Sequence, residues 1–285
     1  MLMVDAAPRV HLRAIASNAT RSPHTTPSKD GPAGLQGCIL MQDDRYDGVD
    51  LAGSVTAAEA DRMQFYEAAL HINRLYAARH GYRFTYQGAG KYAPNGFRHM
   101  SWMKLQMLRD ELECCCQWAL FMDSDSFLVM ADHEVSIEAW LTKDEIPVVT
   151  TLLGNMYPMP GLDSRLRKGA EPVAVISDNV PWTATSYFCA GNMLFTRTQL
   201  SFEILDYWFN KTIRLDPSSL KRHPWEQKML NKFVMHKYSR AFWVVPSSEM
   251  NSFDGSSIRH LWSPYGEATR TKLSVQHLKQ VLQRQ

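Results

Sequence analysis

Two carboxylates, two residues apart, follow the most apolar stretch of this chain. Ala119–Met122 precede Asp123 and Asp125, and Phe127–Val129 follow them. An apolar run of this kind predicts a buried strand of a parallel sheet, and residues just past such a strand lie at the edge where open α/β sheets bind ligands. Carboxylates placed there can share one Mg²⁺ or Mn²⁺ ion, whose usual partner is a phosphate. The motif therefore predicts a metal-assisted phosphate or diphosphate site, with a solvated Asp-Ser-Asp turn as an equal alternative.

The segments around this motif alternate between strand and helix patterns. An apolar strand from Gly37 to Gln42 is followed by a helix that begins at the capping box of Thr56 and Glu59 and ends at Gly81. Ser101 can cap a second helix, and further strands are predicted at Tyr82–Tyr86, Ile146–Thr151, Ser186–Ala190 and Ala241–Val245. Such alternation is typical of an α/β fold with a mostly parallel central sheet flanked by helices.

Length and composition predict one ordered domain behind a polar tail. Of 285 residues, 45% are hydrophobic, and the net charge of +2 creates no field that would attract nucleic acid. Residues 1–35 contain much Pro, Ser and Thr and few large apolar side chains, so we expect a disordered tail before a single domain over residues 36–285. No apolar stretch reaches the length of a signal anchor or a membrane span.

The five cysteines lack the spacing of a zinc site. Cys114, Cys115 and Cys116 are consecutive, Cys38 begins a predicted strand, and Cys189 lies within another. Adjacent cysteines rarely bridge one another, so we interpret these residues mainly as small buried hydrophobes. Pairing in an oxidising compartment stays open as an alternative.

Five segments of the chain occur in an order that resembles glycosyltransferase family 34. That family includes fungal α-galactosyl- and α-mannosyltransferases and plant xyloglucan xylosyltransferases. The matching segments are Asn73–Phe84, Trp102–Lys104, Phe121–Ser126, Ala190–Arg197 and Trp225–Gln227, followed by the residues after Val244–Pro246. The likeness covers about residues 37–265, which is most of the predicted domain.

This resemblance implies the GT-A fold, with a nucleotide-binding half at about residues 36–130 and an acceptor-binding half at about residues 131–270. It also implies a glycosyltransferase that moves a hexosyl or pentosyl group from a UDP- or GDP-sugar to a saccharide or glycan acceptor, with retention of configuration. A Mn²⁺ or Mg²⁺ ion would neutralise the charge that builds up on the leaving diphosphate. By the same resemblance we expect the protein in the Golgi lumen or associated with its membrane.

The resemblance assigns metal ligands to the aspartate motif and to a late histidine. Asp125 would bind the ion directly, and Asp123 would contact the ion, its water or the ribose. His260 is the candidate histidine, although the chain departs from the family here because Leu-Trp-Ser follows it where Gly and a small residue are usual. A surface or capping histidine is the alternative interpretation of His260.

Donor-binding and catalytic residues are implied around this ion. Lys104 would stabilise phosphate charge, and its alternative is an ordinary exposed lysine of a helix. Glu226 and Gln227 would face the anomeric carbon, Gln227 through its carbonyl and Glu226 through its negative charge or as a covalent nucleophile. The helix dipole alone also favours a glutamate at a helix start. Further donor contacts are assigned to Asp43, Asp44, Ser124, Gly191 and Asn192, where Gly191 has a simple strand bulge as its alternative.

The acceptor side is predicted in a long irregular loop from Leu153 to Thr185. Within it Trp182 is the best candidate for stacking on an acceptor sugar, whereas Trp208 and Trp243 fall in a predicted helix and strand and are assigned to the core.

Two other classes of protein remain alternatives. A phosphatase of the haloacid dehalogenase type also begins with an apolar strand and Asp-x-Asp, but Phe127 stands where that class has Thr or Val. A non-catalytic nucleotide-sugar binder, derived from a transferase, would explain the departure around His260.

Overall fold

A mostly parallel sheet forms the centre of the fold in the computed structural model. The structure describes residues 36–43, 45, 53–88, 99–141, 172–183, 186–220, 222–262 and 266–284. In chain order the strands are β1 (Gln36–Gln42), β2 (Arg83–Gln87), β3 (Cys116–Asp123), β4 (Ser126–Leu128), β5 (Ala174–Thr183), β6 (Ser186–Thr196), β7 (Phe242–Val245) and β8 (Ile258–His260).

Within this described part, six strands form the main sheet in the order β2-β1-β3-β6-β5-β7. All of them run in one direction except β6, which is antiparallel to both of its neighbours. Strands β4 and β8 form a separate antiparallel ribbon. The predicted α/β class with a mostly parallel sheet is confirmed.

Helices cover both faces of the sheet. They are α1 (Ala57–Ala60), α2 (Phe65–His80), α3 (Met103–Cys114), α4 (Ile137–Leu141), α5 (Gln199–Asp206), α6 (Thr212–Leu215), α7 (Trp225–Met229), α8 (Met235–Tyr238), α9 (Ser247–Met250) and α10 (Glu267–Gln283). One apolar layer contains Leu105, Leu108 and Leu112 of α3 with the fully buried Trp208. The opposite layer contains Leu70 and Tyr76 of α2 and Leu278 of α10, with Trp243 packed partly against it.

Two helix starts differ from the predictions. The capping box of Thr56 and Glu59 is present, but it begins only the short α1. A second capping box at Gln64 and Glu67 restarts the chain as α2, which ends at Gly81 in the left-handed conformation, as predicted. At the other helix, the ring of His99 accepts from the backbone N–H of Ser101 and begins a 3₁₀ turn ahead of α3, so the prediction that Ser101 is the cap is wrong.

The prediction of an irregular loop from Leu153 to Thr185 is wrong for its second half. Residues Ala174–Thr183 form β5, which lies between β6 and β7 in the main sheet. Trp182 therefore belongs to a strand rather than to a loop, and its side chain lies outside the described residues. The first part of that loop, the predicted strand Ile146–Thr151 and the predicted tail of residues 1–35 also lie outside the described residues. The division of the domain into two halves stays a prediction.

The interpretation of the cysteines as mainly small buried hydrophobes is wrong for four of them, which form two disulfides. One disulfide joins Cys38 of β1 to Cys116 of β3, and a second joins the neighbours Cys114 and Cys115. Cys189 is free and buried.

None of the described helices combines the length and the apolar character that a bilayer span requires.

Strand register brings four chain segments to one edge of the sheet. Gln42 at the end of β1 is paired with Asp123 at the end of β3, so Asp43 lies beside the aspartate motif. Met122 is paired with Asn192 on the other side, which brings Gly191 next to Asp123. The β4–β8 ribbon pairs Ser126 with His260 and so delivers the histidine to the same place.

Candidate active site

Asp123, Asp125 and His260 form the acidic centre of this edge. One ligand atom from each lies within 4.8 Å of the other two. His260 Nε2 is 3.1 Å from Asp125 Oδ1. Two neighbouring ligands about 2.1 Å from an octahedral ion are about 3.0 Å apart, so this spacing fits a shared divalent cation. Two carboxylates with one imidazole also fit the chemistry of Mn²⁺ or Mg²⁺.

His260 is held in a fixed orientation by its other ring nitrogen. Its Nδ1 lies 2.6 Å from Asn251 Oδ1 and 3.9 Å from Cys189 Sγ. Since an amide oxygen only accepts hydrogen bonds, Nδ1 donates and Nε2 faces Asp125. Burial disfavours the protonated ring, but the Asp125 carboxylate raises the pKa of His260 well above its ordinary value. A proton and a divalent cation are therefore alternatives on Nε2. The interpretation of His260 as a surface residue is wrong, because it is 6% exposed.

Gly191 lets the backbone of β6 approach these ligands closely. A Cβ atom on Gly191 would lie 2.5 Å from His260 Cε1 and 2.9 Å from Asp123 Oδ2. Real Cβ atoms essentially never come this near, so a side chain here would displace the ligands. The glycine is needed for this approach and is not only a bulge.

Lys104 joins Asp123 to Glu226. Its ammonium donates to Asp123 Oδ1 at 2.9 Å and to the carbonyl of Ala190 at 3.1 Å, and it lies 3.1 Å from Glu226 Oε1. Burial alone would lower the pKa of Lys104, but the two carboxylates raise it, so the ammonium stays charged. At 4% exposure it is not the ordinary surface lysine of the alternative interpretation.

Glu226 and Gln227 occupy the start of α7, as predicted. Glu226 is 4% exposed, and its Oε2 is buried without a hydrogen-bond partner among the described residues. The side-chain carbonyl of Gln227 accepts the backbone N–H of Ala190 at 3.0 Å, which ties α7 to β6. Glu226 thus presents an oxygen that no described group satisfies, whereas the Gln227 oxygen is already engaged.

Trp225 precedes this pair in an unusual conformation. Its φ is 37°, which is a rare and costly value for a large side chain. Its ring stacks on His99 at 3.5 Å between centroids with 5° between planes, and His223 contacts it edge-on at 4.8 Å. Packing against these two rings holds the strained backbone, and the Trp225 ring forms part of the cleft wall.

Asp43 and Ser124 are linked by an arginine on the other side of the cleft. Arg45 donates through Nε to Asp43 Oδ1 at 2.9 Å and through Nη2 to Ser124 Oγ at 2.7 Å, while its guanidinium lies 4.8 Å from the ring of Tyr66. Burial would raise the pKa of Asp43, but the bonds from Arg45 and Ser124 lower it, so the carboxylate stays ionised. Asp44 lies outside the described residues.

Asn192 lies behind the cleft. It is fully buried, and its Nδ2 donates to the carbonyl of Met250 at 2.8 Å. This bond supports the segment that carries Asn251 and, through it, the ring of His260. Asn192 is not among the residues that line the cleft, and its predicted contact with the donor stays a prediction.

Many of the residues described above line a cleft of about 250 Å³. Its walls include Asp43, Arg45, Lys104, Asp123, Ser124, Trp225, Glu226 and Gln227. Asp123 belongs both to this cleft and to the cluster with Asp125 and His260.

Among the residues that the sequence analysis missed are Asn251 and Arg270. Asn251 orients His260, and Arg270 of α10 lies 3.7 Å from Asp125 Oδ2. Neither stands in a motif, because each reaches the site only through the folding of a distant segment.

Known proteins resemble this chain in sequence and in fold. The galactosyl transferase GMA12/MNN10 family matches residues 52–272. An α-1,2-galactosyltransferase of Schizosaccharomyces pombe is 24% identical over 200 residues, which are 67% of this chain and 51% of that protein. The chain thus spans about half the length of this curated relative.

A solved glycosyltransferase involved in the glycosylation of the major capsid of PBCV-1 has a similar fold. It aligns with a TM-score of 0.56 at 12% identity, over 84% of this chain and 98% of that one. At such identity the likeness concerns the fold alone, and it confirms the predicted GT-A glycosyltransferase fold.

Proposed function

The chain belongs to the galactosyl transferase GMA12/MNN10 family, and from this premise we propose that it transfers a glycosyl group from a nucleotide diphosphate sugar to a saccharide or glycan acceptor. The observation that carries the proposal is the gathering of Asp123, Asp125 and His260 at the sheet edge, beside a cleft that also contains Lys104 and Glu226. Carboxylates and an imidazole in this arrangement suit a divalent cation, and the cleft beside them is polar and charged.

We propose that Asp123, Asp125 and His260 hold a Mn²⁺ or Mg²⁺ ion. When bound, the ion supplies positive charge that stabilises the diphosphate leaving group. Asn251 fixes the ring of His260 so that Nε2 faces the cation position, and Lys104 holds the carboxylate of Asp123 from the opposite side. Both contacts hold the ligands in place before the ion binds, so that less conformational entropy is lost on binding.

The donor nucleotide, UDP or GDP, is assigned to the side of the cleft that contains Arg45. Asp43 and Ser124 hold this guanidinium, which adds a second positive charge for phosphate. The hydroxyl of Ser124 and the carboxylate of Asp43 can accept hydrogen bonds from ribose hydroxyls. The transferred sugar then lies over Asp123, towards Glu226.

Glu226 is assigned the role nearest the reacting carbon. Its unpaired Oε2 can stabilise positive charge at the anomeric carbon while the acceptor attacks from the face that the diphosphate leaves, or it can form a covalent bond that the acceptor then displaces. Either route gives retention of configuration. Lys104 holds the carboxylate in place. Gln227 holds α7 against β6, so that Glu226 stays at the cleft. By resemblance to the family we propose action on glycans in the Golgi lumen.

A nucleotide-sugar screen tests the proposal. The protein is heated with UDP- and GDP-sugars, with and without Mn²⁺, and the donor that raises the melting temperature only with the ion is then tested for transfer and hydrolysis. We expect Asp125→Asn to abolish both effects and the surface variant Asp61→Asn, which is 57% exposed at its side chain, to retain them.

Each other outcome selects a different function. Phosphate release from a generic phosphomonoester would support the phosphatase alternative. Binding of a donor without turnover with any acceptor would support a non-catalytic binder. If turnover occurs, the anomeric configuration of the early product, measured by NMR, decides between retention and inversion.

A further inference from the structure

Four of the five cysteines meet at the edge of the sheet opposite the candidate active site. Cys38 is near the start of β1 and Cys116 begins β3, whereas Asp43 directly follows the far end of β1 and Asp123 is the last residue of β3. Seven residue steps of β3 span about 23 Å. The sulfur cluster is thus a second centre, and its chemistry is separate from that of the cleft.

The two disulfides of this cluster differ in accessibility. Cys38 and Cys116 are fully buried, whereas Cys114 is exposed and Cys115 is half-buried. A dissolved thiol can therefore reach the Cys114–Cys115 pair directly but cannot reach the Cys38–Cys116 pair. Access of this kind governs the rate of thiol–disulfide exchange.

Glu111 places one carboxylate oxygen between the two pairs. Its Oε2 lies 3.8 Å from Cys116 Sγ and 3.9 Å from Cys114 Sγ, and the carboxylate is within 4.8 Å of Cys38 Sγ as well. The residue is 5% exposed, and Arg83 and Thr85 hold the carboxylate at 3.3 Å each. A buried carboxylate in contact with sulfur from both pairs is well placed to accept and return thiol protons.

We propose that Cys114 and Cys115 form a redox-active pair that passes electrons to the buried Cys38–Cys116 disulfide, with Glu111 as the proton carrier. The reductant is a small-molecule thiol such as glutathione. Two of its molecules join in a disulfide, and Cys114 and Cys115 become thiols. This first step breaks the exposed S–S bond and leaves the buried one intact.

Exchange then moves the bond inward. Cys114 gives its proton to Glu111 and its thiolate attacks Cys116 Sγ, so that a Cys114–Cys116 bond forms and Cys38 leaves as a thiolate, which takes the proton from Glu111. Cys115 next gives its proton to Glu111 and attacks Cys114 Sγ, which restores the Cys114–Cys115 bond and releases Cys116, and Cys116 takes that proton. Two electrons and two protons have then passed from the external thiols to Cys38 and Cys116.

Reduction of the Cys38–Cys116 disulfide would remove a covalent link between two strands that carry the candidate active site. The Cys38–Cys116 bond ties β1 to β3; β1 ends just before Asp43, and β3 ends at Asp123. A thiol in solution would thus open a buried link between them through the exposed pair. This inference does not depend on the proposed glycosyl transfer.

Timed alkylation of the full-length chain tests the proposal. The oxidised protein is incubated with glutathione, quenched with acid, treated with N-ethylmaleimide and mapped by peptide mass spectrometry. We expect Cys114 and Cys115 to become labelled first and Cys38 and Cys116 after a lag. In Cys114→Ser/Cys115→Ser, labelling of Cys38 and Cys116 should slow at least tenfold in the native protein.

Matched variants separate the steps. Glu111→Gln should slow the second phase several-fold, whereas Glu113→Gln, an exposed neighbour on α3, should not. Cys189→Ser removes the cysteine that lies outside the cluster and should leave both phases unchanged. Cys115→Ser cannot complete the exchange and should accumulate a Cys114–Cys116 disulfide, a readout that stands if the double variant fails to fold.

The proposal is overturned by any of three results. One is simultaneous labelling of both pairs in the wild-type chain. Another is an unchanged rate for Cys38 and Cys116 in a folded double variant. The last is failure of glutathione disulfide to oxidise Cys114 and Cys115 in the native protein.

Discussion

Substitution of Gly191 by alanine tests the cation site at its tightest point. The new Cβ would lie 2.5 Å from His260 Cε1, and a relaxed carbon contact needs about 3.5 Å, so the ring or the strand must move by about 1 Å. Mutations that disturb the orientation of metal ligands typically weaken metal binding about 10- to 100-fold, and we expect a loss of this size here. That change corresponds to about 1.4–2.7 kcal/mol of binding free energy.

The melting temperature as a function of Mn²⁺ concentration measures this loss. At an ion concentration of about 100 times the wild-type Kd, binding stabilises the wild-type protein by about 2.7 kcal/mol. The same concentration would stabilise Gly191→Ala by only about 0.4–1.4 kcal/mol. Overpacking should also lower the free energy of unfolding without the ion by about 1–3 kcal/mol.

Gly266 provides the matched control, because a Cβ there has nothing within 4 Å. Gly266→Ala should keep the wild-type dependence on Mn²⁺. The reasoning would be refuted if Gly191→Ala, still folded, bound Mn²⁺ with the wild-type midpoint.

Three further predictions concern buried polar groups. Lys104→Met should lower the free energy of unfolding in urea by about 3–5 kcal/mol, because it leaves two carboxylates without their ammonium partner. Asn251→Ala should weaken Mn²⁺ binding in calorimetry about 10- to 100-fold, because His260 loses its orienting bond. Burial lowers the pKa of His71 and of His133 to about 4, so the unfolded chain binds more protons than the folded chain below about pH 6.5. The free energy of unfolding should therefore fall as the pH drops from about 6.5 to 4, by up to about 3 kcal/mol for each ring, as measured by urea titration at several pH values.

Two control variants accompany these experiments. Lys279→Met removes an exposed pair with Asp61 and should cost less than about 1 kcal/mol; an equal cost for Lys104→Met would contradict a buried network. Asn210→Ala removes a part-buried hydrogen bond to Asp206; neither residue lines the cleft or belongs to the cluster of Asp123, Asp125 and His260, so Mn²⁺ affinity should not change. A free energy of unfolding that stays constant between pH 7 and pH 4.5 would show that the buried rings do not titrate as argued.

Much of the fold follows from local patterns in the chain. The apolar run before Asp123 forms β3, the capping residues begin a helix, and Gly81 ends α2. These features depend on neighbours within a few residues, so they can be inferred without the fold. Strand β5 was missed because its residues follow a segment with the composition of a loop, and a strand inside a sheet is selected by its partners rather than by its own pattern.

Some site residues could likewise be identified from local sequence, whereas others could be placed only by the fold. Asp123 and Asp125 could be identified from the sequence because they follow an apolar strand, and the carboxyl ends of such strands form the ligand-binding edge of an α/β sheet. The resemblance supplied Lys104, Glu226 and His260, but spacing alone could not show that they meet.

The amino-acid sequence by itself determined the α/β alternation, the acidic motif and the family, because these depend on residue types and their order. Only the tertiary structure decided that one ammonium joins Asp123 to Glu226, that Asn251 holds His260, and that Cys38 pairs with Cys116. The physical reason is distance along the chain: partners that are tens of residues apart meet only after the sheet has aligned its strands, and their charges and bonds are then set by burial.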